Sequence, residues 1–316
     1  MSVPLLRVRE LTVAFPGSEG EEPAVRGVSF DVRAGETLGI LGESGSGKTM
    51  SLRALIGLVP APGRVLAGEA LWTGGDGPRA GGDGPRAGGE VPSGDGGVRR
   101  GDGEVLGGDG GDSERSGRDL LRMPKDAWRR VRGRQIAMVF QDPAESLDPV
   151  FSIGDQLIEV LRQLAGLSRS AARREAVRLL ERVHIPAAER RLGDYSHQLS
   201  GGMRQRVTLA LAIAGAPALL LADEPTTALD VTIQDQILSL LAELQEELGM
   251  AIVLVSHDLG VIAQCADRVL VMRAGEVLEA GTVGDVLDSP RHPYTAELLA
   301  AVPRMDAAPG GARNGG

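Results

Sequence analysis

Eight residues, Gly42-Glu43-Ser44-Gly45-Ser46-Gly47-Lys48-Thr49, constrain this chain more than any other stretch. They follow an apolar segment, Thr37-Leu38-Gly39-Ile40-Leu41, and precede Leu52, Leu55 and Ile56, which recur at helical spacing. Strand, glycine turn and helix in that order make a βα unit, and such units build parallel sheets covered by helices. Gly42, Gly45 and Gly47 let the backbone bend closely around a phosphate, with main-chain N–H groups aimed at its oxygens. Lys48 is placed to neutralise β- and γ-phosphates, and the Thr49 hydroxyl to hold Mg²⁺. Only two of the 34 basic residues are lysines, Lys48 and Lys125, so composition alone would rarely put one inside this loop.

A second motif is the strand Leu219-Leu220-Leu221-Ala222 ending in Asp223-Glu224. Asp223 is expected to complete the Mg²⁺ shell, directly or through water. Glu224 stands where a carboxylate can take a proton from attacking water. Acids at strand ends are often only helix caps, but the following Pro225-Thr226-Thr227-Ala228-Leu229-Asp230 argues against that here. The third motif is Leu199-Ser200-Gly201-Gly202-Met203-Arg204-Gln205-Arg206. Two glycines after a serine expose backbone ahead of a helix, which makes a second anion site; a plain Ser-capped helix start is the simpler alternative. Gln141 follows the strand Gln135–Phe140, and His257 follows the strand Ala251–Val255.

The 316 residues are enough for one large or two smaller domains, and 42% hydrophobic content gives a globular chain. A net charge of -9 argues against a nucleic-acid partner. Cys265 is the only cysteine, so no internal disulfide and no iron–sulfur cluster is expected, consistent with a reducing compartment. The N-terminus lacks the pattern of a signal peptide. The longest uncharged stretch, Val207 to Ala222, is short of the roughly 20 residues needed to span a bilayer. It contains Gly215 and Pro217, and reads as a buried helix, a break and a buried strand. A membrane role is therefore expected to come through a partner.

Residues 5–40 alternate as strands do, with Leu6, Val8, Leu11, Val13 and Phe15 first. Residues 74–118 are different: Gly-Gly-Asp-Gly-Pro-Arg-Ala occurs twice, at 74–80 and 81–87, amid further Gly, Asp and Arg. Such a segment buries too little apolar surface to offset its ordering entropy, and disorder is expected over about 75–117. Helices are expected over 153–193, with Ile153, Leu157, Val160 and Leu161 on one face. A second helical face carries Ala176, Val177, Leu179, Leu180 and Val183, and a further helix is expected over 231–247. The Gly/Ala/Pro-rich tail, 305–316, is expected to be mobile.

Together these motifs resemble those of the ATP-binding subunit of an ABC transporter, and of the oligopeptide/dipeptide (peptide/nickel) importer family in particular. Details that carry the finer resemblance are Phe140-Gln141-Asp142-Pro143, Ser256-His257-Asp258-Leu259-Gly260-Val261 and Arg291-His292-Pro293-Tyr294-Thr295. The resemblance implies an α/β fold: a P-loop NTPase (RecA-like) core with a parallel sheet, an antiparallel β subdomain and an inserted helical subdomain at about 143–200. Residues 1–304 would form the ATP-binding domain, with a C-terminal extension at 285–304. ATP would lie on Gly42–Thr49, with Phe15 stacked on adenine. Thr49, Gln141 and Asp223 would hold Mg²⁺, and Glu224, Gln141 and His257 would serve hydrolysis. Ser200, Gly201, Gly202 and Gln205 would contact the ATP of a partner subunit, which Asp230 would face.

The resemblance further implies a second ABC ATPase, either a paralogue or another copy of this chain, two transmembrane permeases, and indirectly an extracytoplasmic solute-binding protein. The place of action would be the cytoplasmic face of the cell membrane, with the chain attached peripherally. The 75–117 insertion departs from typical members, and Ser196 stands where a proline is common. Peptide, nickel and other small solutes stay open, because specificity resides in the partners. A soluble ABC ATPase of DNA repair or translation would usually carry two modules or a long coiled coil. A non-hydrolysing module would usually have lost Glu224, His257 or the signature glycines.

Overall fold

The strand–loop–helix unit sits at the centre of a six-stranded sheet. In a computed structural model of the chain, residues 3–18, 20–74, 117–227 and 229–301 are described. The chain begins with β1 (Leu6–Gly17), β2 (Gly20–Val32) and β3 (Thr37–Leu41), followed by α1 (Lys48–Leu55). Then come β4 (Arg64–Trp72), β5 (Arg118–Asp119), β6 (Ile136–Val139) and the helices α2 (Ile153–Ala165), α3 (Arg169–Arg182), α4 (Ala188–Arg191) and α5 (Gly201–Ile213). The catalytic half continues with β7 (Leu219–Asp223), α6 (Val231–Leu248), β8 (Ala251–Ser256) and α7 (Leu259–Cys265). It closes with β9 (Arg268–Arg273), β10 (Glu276–Thr282), α8 (Val283–Asp288) and α9 (Pro293–Ala301). The expectations of disorder over 75–117 and of a mobile tail fall, apart from Gly117, outside the described residues, as do positions 302–304 of the C-terminal extension.

The large sheet has the order β10-β9-β3-β8-β7-β6, and only the β9–β10 pair is antiparallel. Its strands are buried on both faces, and their side chains alternate between two cores with period two. Leu220, Ala222, Ile252, Leu254, Val269 and Val271 face a core shared with α2, α3, α5, α6 and α7. Leu219, Leu221, Val253, Val255, Leu270 and Met272 face the other, shared with α1 and with a four-stranded antiparallel sheet of order β2-β1-β4-β5. The fold is thus α/β, a P-loop NTPase core with an antiparallel sheet on one face and helices on the other.

The helices between β6 and β7 start where small polar residues cap them. Ser152 accepts a hydrogen bond from the Asp155 N–H, and Ser168 from the Ala171 N–H. Ile153, Leu157 and Leu161 of α2 are buried as expected. Val160 is not: it lies at the flank of that stripe, half-buried, and lines a groove. Neither β9 nor β10 stands out in the motifs above, yet the turn between them braces the phosphate loop.

Candidate active site

The phosphate loop takes its shape from glycine and from the turn between β9 and β10. Gly45 and Gly47 have φ of 80° and 98°, a left-handed region that side chains other than glycine's disfavour. A Cβ at Gly42 would collide with the Met272 carbonyl oxygen. The Gly275 N–H donates to the Ser46 carbonyl at 3.0 Å, so the β9–β10 turn is stitched directly to the loop.

Lys48 opens α1 and is only 4% exposed. Its ammonium donates to the carbonyls of Gly42 at 2.7 Å and Glu43 at 2.9 Å, and lies 3.8 Å from a Glu224 oxygen. Burial pulls its pKa down, opposed by the charges of Glu224, Asp223 and Glu43. One turn position on, the Thr49 hydroxyl donates to Asp223 Oδ1 at 2.9 Å. Asp223 is fully buried, and its other oxygen, Oδ2, has no hydrogen-bond partner among the described residues. Desolvation pushes its pKa up to about 6; the Thr49 hydrogen bond opposes the rise and Glu224 adds to it.

Glu224 gathers the remaining predicted residues. Its Oε2 accepts from Gln141 Nε2 at 3.1 Å and Thr227 Oγ1 at 2.9 Å, and lies 3.1 Å from His257 Nδ1. Its backbone is strained: φ is 44° in a non-glycine residue directly before Pro225. The Glu224 N–H donates to Val255 O at 3.1 Å, which continues the β7–β8 ladder and holds the residue in that conformation. Strain of this kind is held only where the surroundings over-determine it.

Sequence reading assigned no role to Thr227 or Arg53, and both belong to this cluster. Thr227 sits three residues past Glu224 in a turn closed by its N–H donating to Glu224 O at 3.2 Å. Arg53 lies one helical turn beyond Thr49 on α1, where its charge favours ionised Asp223, and it stacks 5.7 Å over the Phe140 ring. The i, i+4 spacing from Thr49 was the available signal for Arg53.

The signature residues stand apart; no hydrogen bond or ion pair among the described residues joins them to Glu224. Ser200 is exposed and caps α5, accepting from the Met203 N–H at 3.3 Å. Gly202 is required by packing as well as by any exposed backbone: a Cβ there would lie 2.6 Å from Ile233 of α6. Gln205, expected to contact the ATP of a partner subunit, starts from a buried position. It is 2% exposed, turned inward on the α5 face that meets the core. Asp230 caps α6 by accepting from the Ile233 N–H at 2.9 Å. Phe15 is half-buried near the end of β1, and its ring packs against Gly63.

A buried lysine on a glycine loop, beside a Thr–Asp pair and a strained, hydrogen-bonded glutamate, defines the site of a P-loop nucleoside triphosphatase. A family profile described as ABC transporter matches residues 25–81 and 105–227, skipping a stretch inside the Gly/Asp-rich segment. A second, described as oligopeptide/dipeptide transporter, C-terminal region, matches 278–314. The chain is 42% identical over 304 residues to the oligopeptide transport ATP-binding protein OppD of Bacillus subtilis, covering 96% of this chain and 73% of that protein. Against OppD of Escherichia coli K12 the identity is 43% over 303 residues, covering 96% and 77%. Against the dipeptide transport ATP-binding protein DppD of Lactococcus lactis it is 41% over 304 residues, covering 96% and 75%. A solved dimeric ATP-binding cassette with bound ADP and Pi shares the fold, with a TM-score of 0.65 at 24% identity over 88% of this chain and 98% of that one. The chain belongs to the ABC transporter family, and it is an ATPase whose hydrolysis is coupled to transport.

Proposed function

We propose that this chain is one nucleotide-binding subunit of a peptide importer, in which Glu224 is the general base of ATP hydrolysis. The observation that carries this reading is the convergence of Lys48, Gln141, Thr227 and His257 on the single Glu224 carboxylate, beside Thr49 and Asp223. The C-terminal match to the oligopeptide/dipeptide transporter region and the names of the relatives support peptides as the cargo.

The Thr49–Asp223 pair suits Mg²⁺: both offer hard oxygen donors, and the buried, unpartnered Oδ2 of Asp223 is a ligand in want of a cation. Mg²⁺ held there would neutralise charge on the transferring phosphoryl group. Lys48 binds the β- and γ-phosphates. Gln141 and His257 orient water and γ-phosphate, and the Glu224 carboxylate takes the proton of the attacking water. Phe15, packed against Gly63, offers its free face to adenine. Exposed Ser200 and half-buried Gly201 and Gly202 offer a helix start to the ATP of a second subunit, with Gln205 acting from within the helix and Asp230 setting the adjoining loop.

No described helix is long and apolar enough to cross a membrane, so transport requires membrane-spanning partners. A groove of about 950 Å³ between α2 and the core suits such a contact. Ile56, Leu58, Phe140, Phe151, Ile158 and Val160 make its wall apolar, and Phe140 adjoins Gln141. A permease segment seated there would press on Phe140, next in the chain to Gln141, which is hydrogen-bonded to Glu224. The assembly we infer has two such ATPases, as paralogues or as two copies, on the cytoplasmic face of two permeases fed by a solute-binding protein.

The test is to tag the chain in its native cells, solubilise in mild detergent, identify what co-purifies, and assay peptide uptake by the reconstituted complex. Two multi-span permeases with a second ABC ATPase, and ATP-dependent uptake of peptide over nickel, are expected. Recovery of soluble proteins only would overturn the importer reading.

A further inference from the structure

The C-terminal extension folds back against the phosphate loop, and one tyrosine makes the junction. The start of α9 is fixed by Glu279 of β10, whose two oxygens accept from the Arg291 N–H at 2.8 Å and the His292 N–H at 3.1 Å. His292 Nδ1 then accepts from the Tyr294 N–H at 3.1 Å. These bonds drive Tyr294 inward: it is 4% exposed and belongs to the core that also holds Val269, Val271 and Val286. The Arg273 guanidinium stacks on its ring, 4.5 Å from the centroid. Arg273 directly follows Met272, whose carbonyl presses on Gly42, and lies two residues before Gly275, which is bonded to Ser46. A continuous path of packed and bonded groups therefore runs from α9 to the loop.

The Tyr294 hydroxyl is buried against Glu43 of the phosphate loop, within reach of its backbone and its carboxylate but short of full hydrogen-bond geometry with either. Burial first, and the carboxylate of Glu43 in the phosphate loop second, raise its pKa. With the hydroxyl already beside Glu43, a small loop shift is enough to make or break that hydrogen bond.

We propose that Tyr294 is a positioning residue for the phosphate loop: α9 and Arg273 hold it against the Glu43 corner, and docking of the C-terminal extension is coupled to ATP affinity. Such coupling is reciprocal, so nucleotide must in turn tighten the docking of α9. The inference rests on Gly42–Thr49 being the ATP site, which a Lys48→Ala control tests separately.

The experiment uses the purified full-length chain. Mg-ATP affinity is titrated calorimetrically for the wild type, Tyr294→Ala, Tyr294→Phe and Arg273→Gln, and hydrogen exchange over 291–301 is followed with and without Mg-ATP. Tyr294→Ala is expected to weaken binding about fivefold or more, the low end of typical coupling. Arg273→Gln should weaken it in the same direction, and Tyr294→Phe, which keeps the ring, should recover part of the loss. Mg-ATP should slow exchange over 291–301. Should Tyr294→Ala fail to fold, Arg273→Gln, at an exposed position, carries the affinity test alone. Wild-type affinity in these variants, whatever their thermal stability, would reduce Tyr294 to a core residue and overturn the proposal, as would nucleotide-independent exchange. Unchanged binding in Lys48→Ala would instead overturn the site assignment.

Discussion

The two helix starts proposed to bind phosphate, at α1 and at α5, are built in opposite ways. The α1 side is dense and unsettled. A lysine is buried, an aspartate is buried with one oxygen unpartnered, and a glutamate is held at φ 44°. The α5 side is at rest: Ser200 caps its helix, Asp230 caps the next, and Gly202 lets α5 and α6 close on each other. Perturbed and strained groups concentrate where chemistry happens. A surface that serves a partner's ligand needs only a shape and exposed N–H groups. The α1 side should therefore reveal itself in the isolated chain, and the α5 side only in an assembly.

Glu224→Gln gives the largest effect. The amide keeps an acceptor for Gln141, Thr227 and His257 but cannot take a proton. Turnover in the assembled complex is expected to fall about 10²–10⁴-fold with ATP binding retained. Steady-state ATPase and equilibrium binding measured on one preparation decide this, and near-normal turnover would remove Glu224 from its role.

Asp223 comes next, and its pH dependence has a definite sign. The folded chain holds this proton up to about pH 6, against 3.8 for the ordinary group. Below about pH 4 both states are protonated and Asp223 does not bear on stability. As pH rises from there the unfolded chain loses its proton first, so stability falls until about pH 6 and then levels off. A shift of this size corresponds to about 3 kcal/mol. Asp223→Asn removes the penalty, so with EDTA present the variant should be more stable than wild type near neutral pH, by up to about 3 kcal/mol. It should match wild type near pH 4, and the stabilisation wild type gains from Mg-ATP should be lost. Denaturant titrations at the two pH values, with EDTA or Mg-ATP, are the measurement. No gain in EDTA would mean that Asp223 is not the buried, unsatisfied anion described.

Ser200→Ala sharpens the contrast from the other side. Loss of the cap should cost about 1 kcal/mol of stability. Mg-ATP affinity of the isolated chain should stay as in wild type, while ATPase activity of the complex should drop. Weakened binding in the isolated chain would show that the two helix starts are not independent, and the comparison would fail.

What could be read in advance follows the same division. Gly42–Thr49, Asp223–Glu224, Gln141 and His257 were legible because each depends on residue type at the junction of a strand and a loop, which sequence records directly. The alternation that sends Leu220 and Leu221 to different cores was legible for the same reason. Thr227 and Arg53 carried only a local spacing signal, three residues from Glu224 and four from Thr49, whereas the contacts of Tyr294 arise from the fold. Tyr294 reaches the phosphate loop only because β9 pairs with β3 and turns back into β10. The burial of Gln205 was not legible for a related reason: its motif says which helix it is on, but not that its side chain turns to the core.

Residues 75–116 join β4 to β5, and their removal should matter least to activity. Trp72 pairs with Arg118 and Leu71 with Asp119, so the two ends of the segment emerge side by side from one antiparallel ladder. Deleting 75–116 leaves Thr73-Gly74-Gly117 as a three-residue hairpin loop, a length antiparallel strands accept and one rich in glycine. Loop closure costs about 0.6 kcal/mol per doubling, and shortening the connection to three residues removes about four doublings, so the deletion should if anything raise stability, by up to about 2 kcal/mol. The join lies on β4 and β5, in the small antiparallel sheet, away from the Glu224 cluster. The deletion should leave ATPase activity of the complex unchanged and should not lower the thermal midpoint. A fall in the midpoint would mean that the segment packs on the antiparallel sheet. A fall in activity at unchanged midpoint would mean that it acts on the catalytic side, and would add a third region to the comparison.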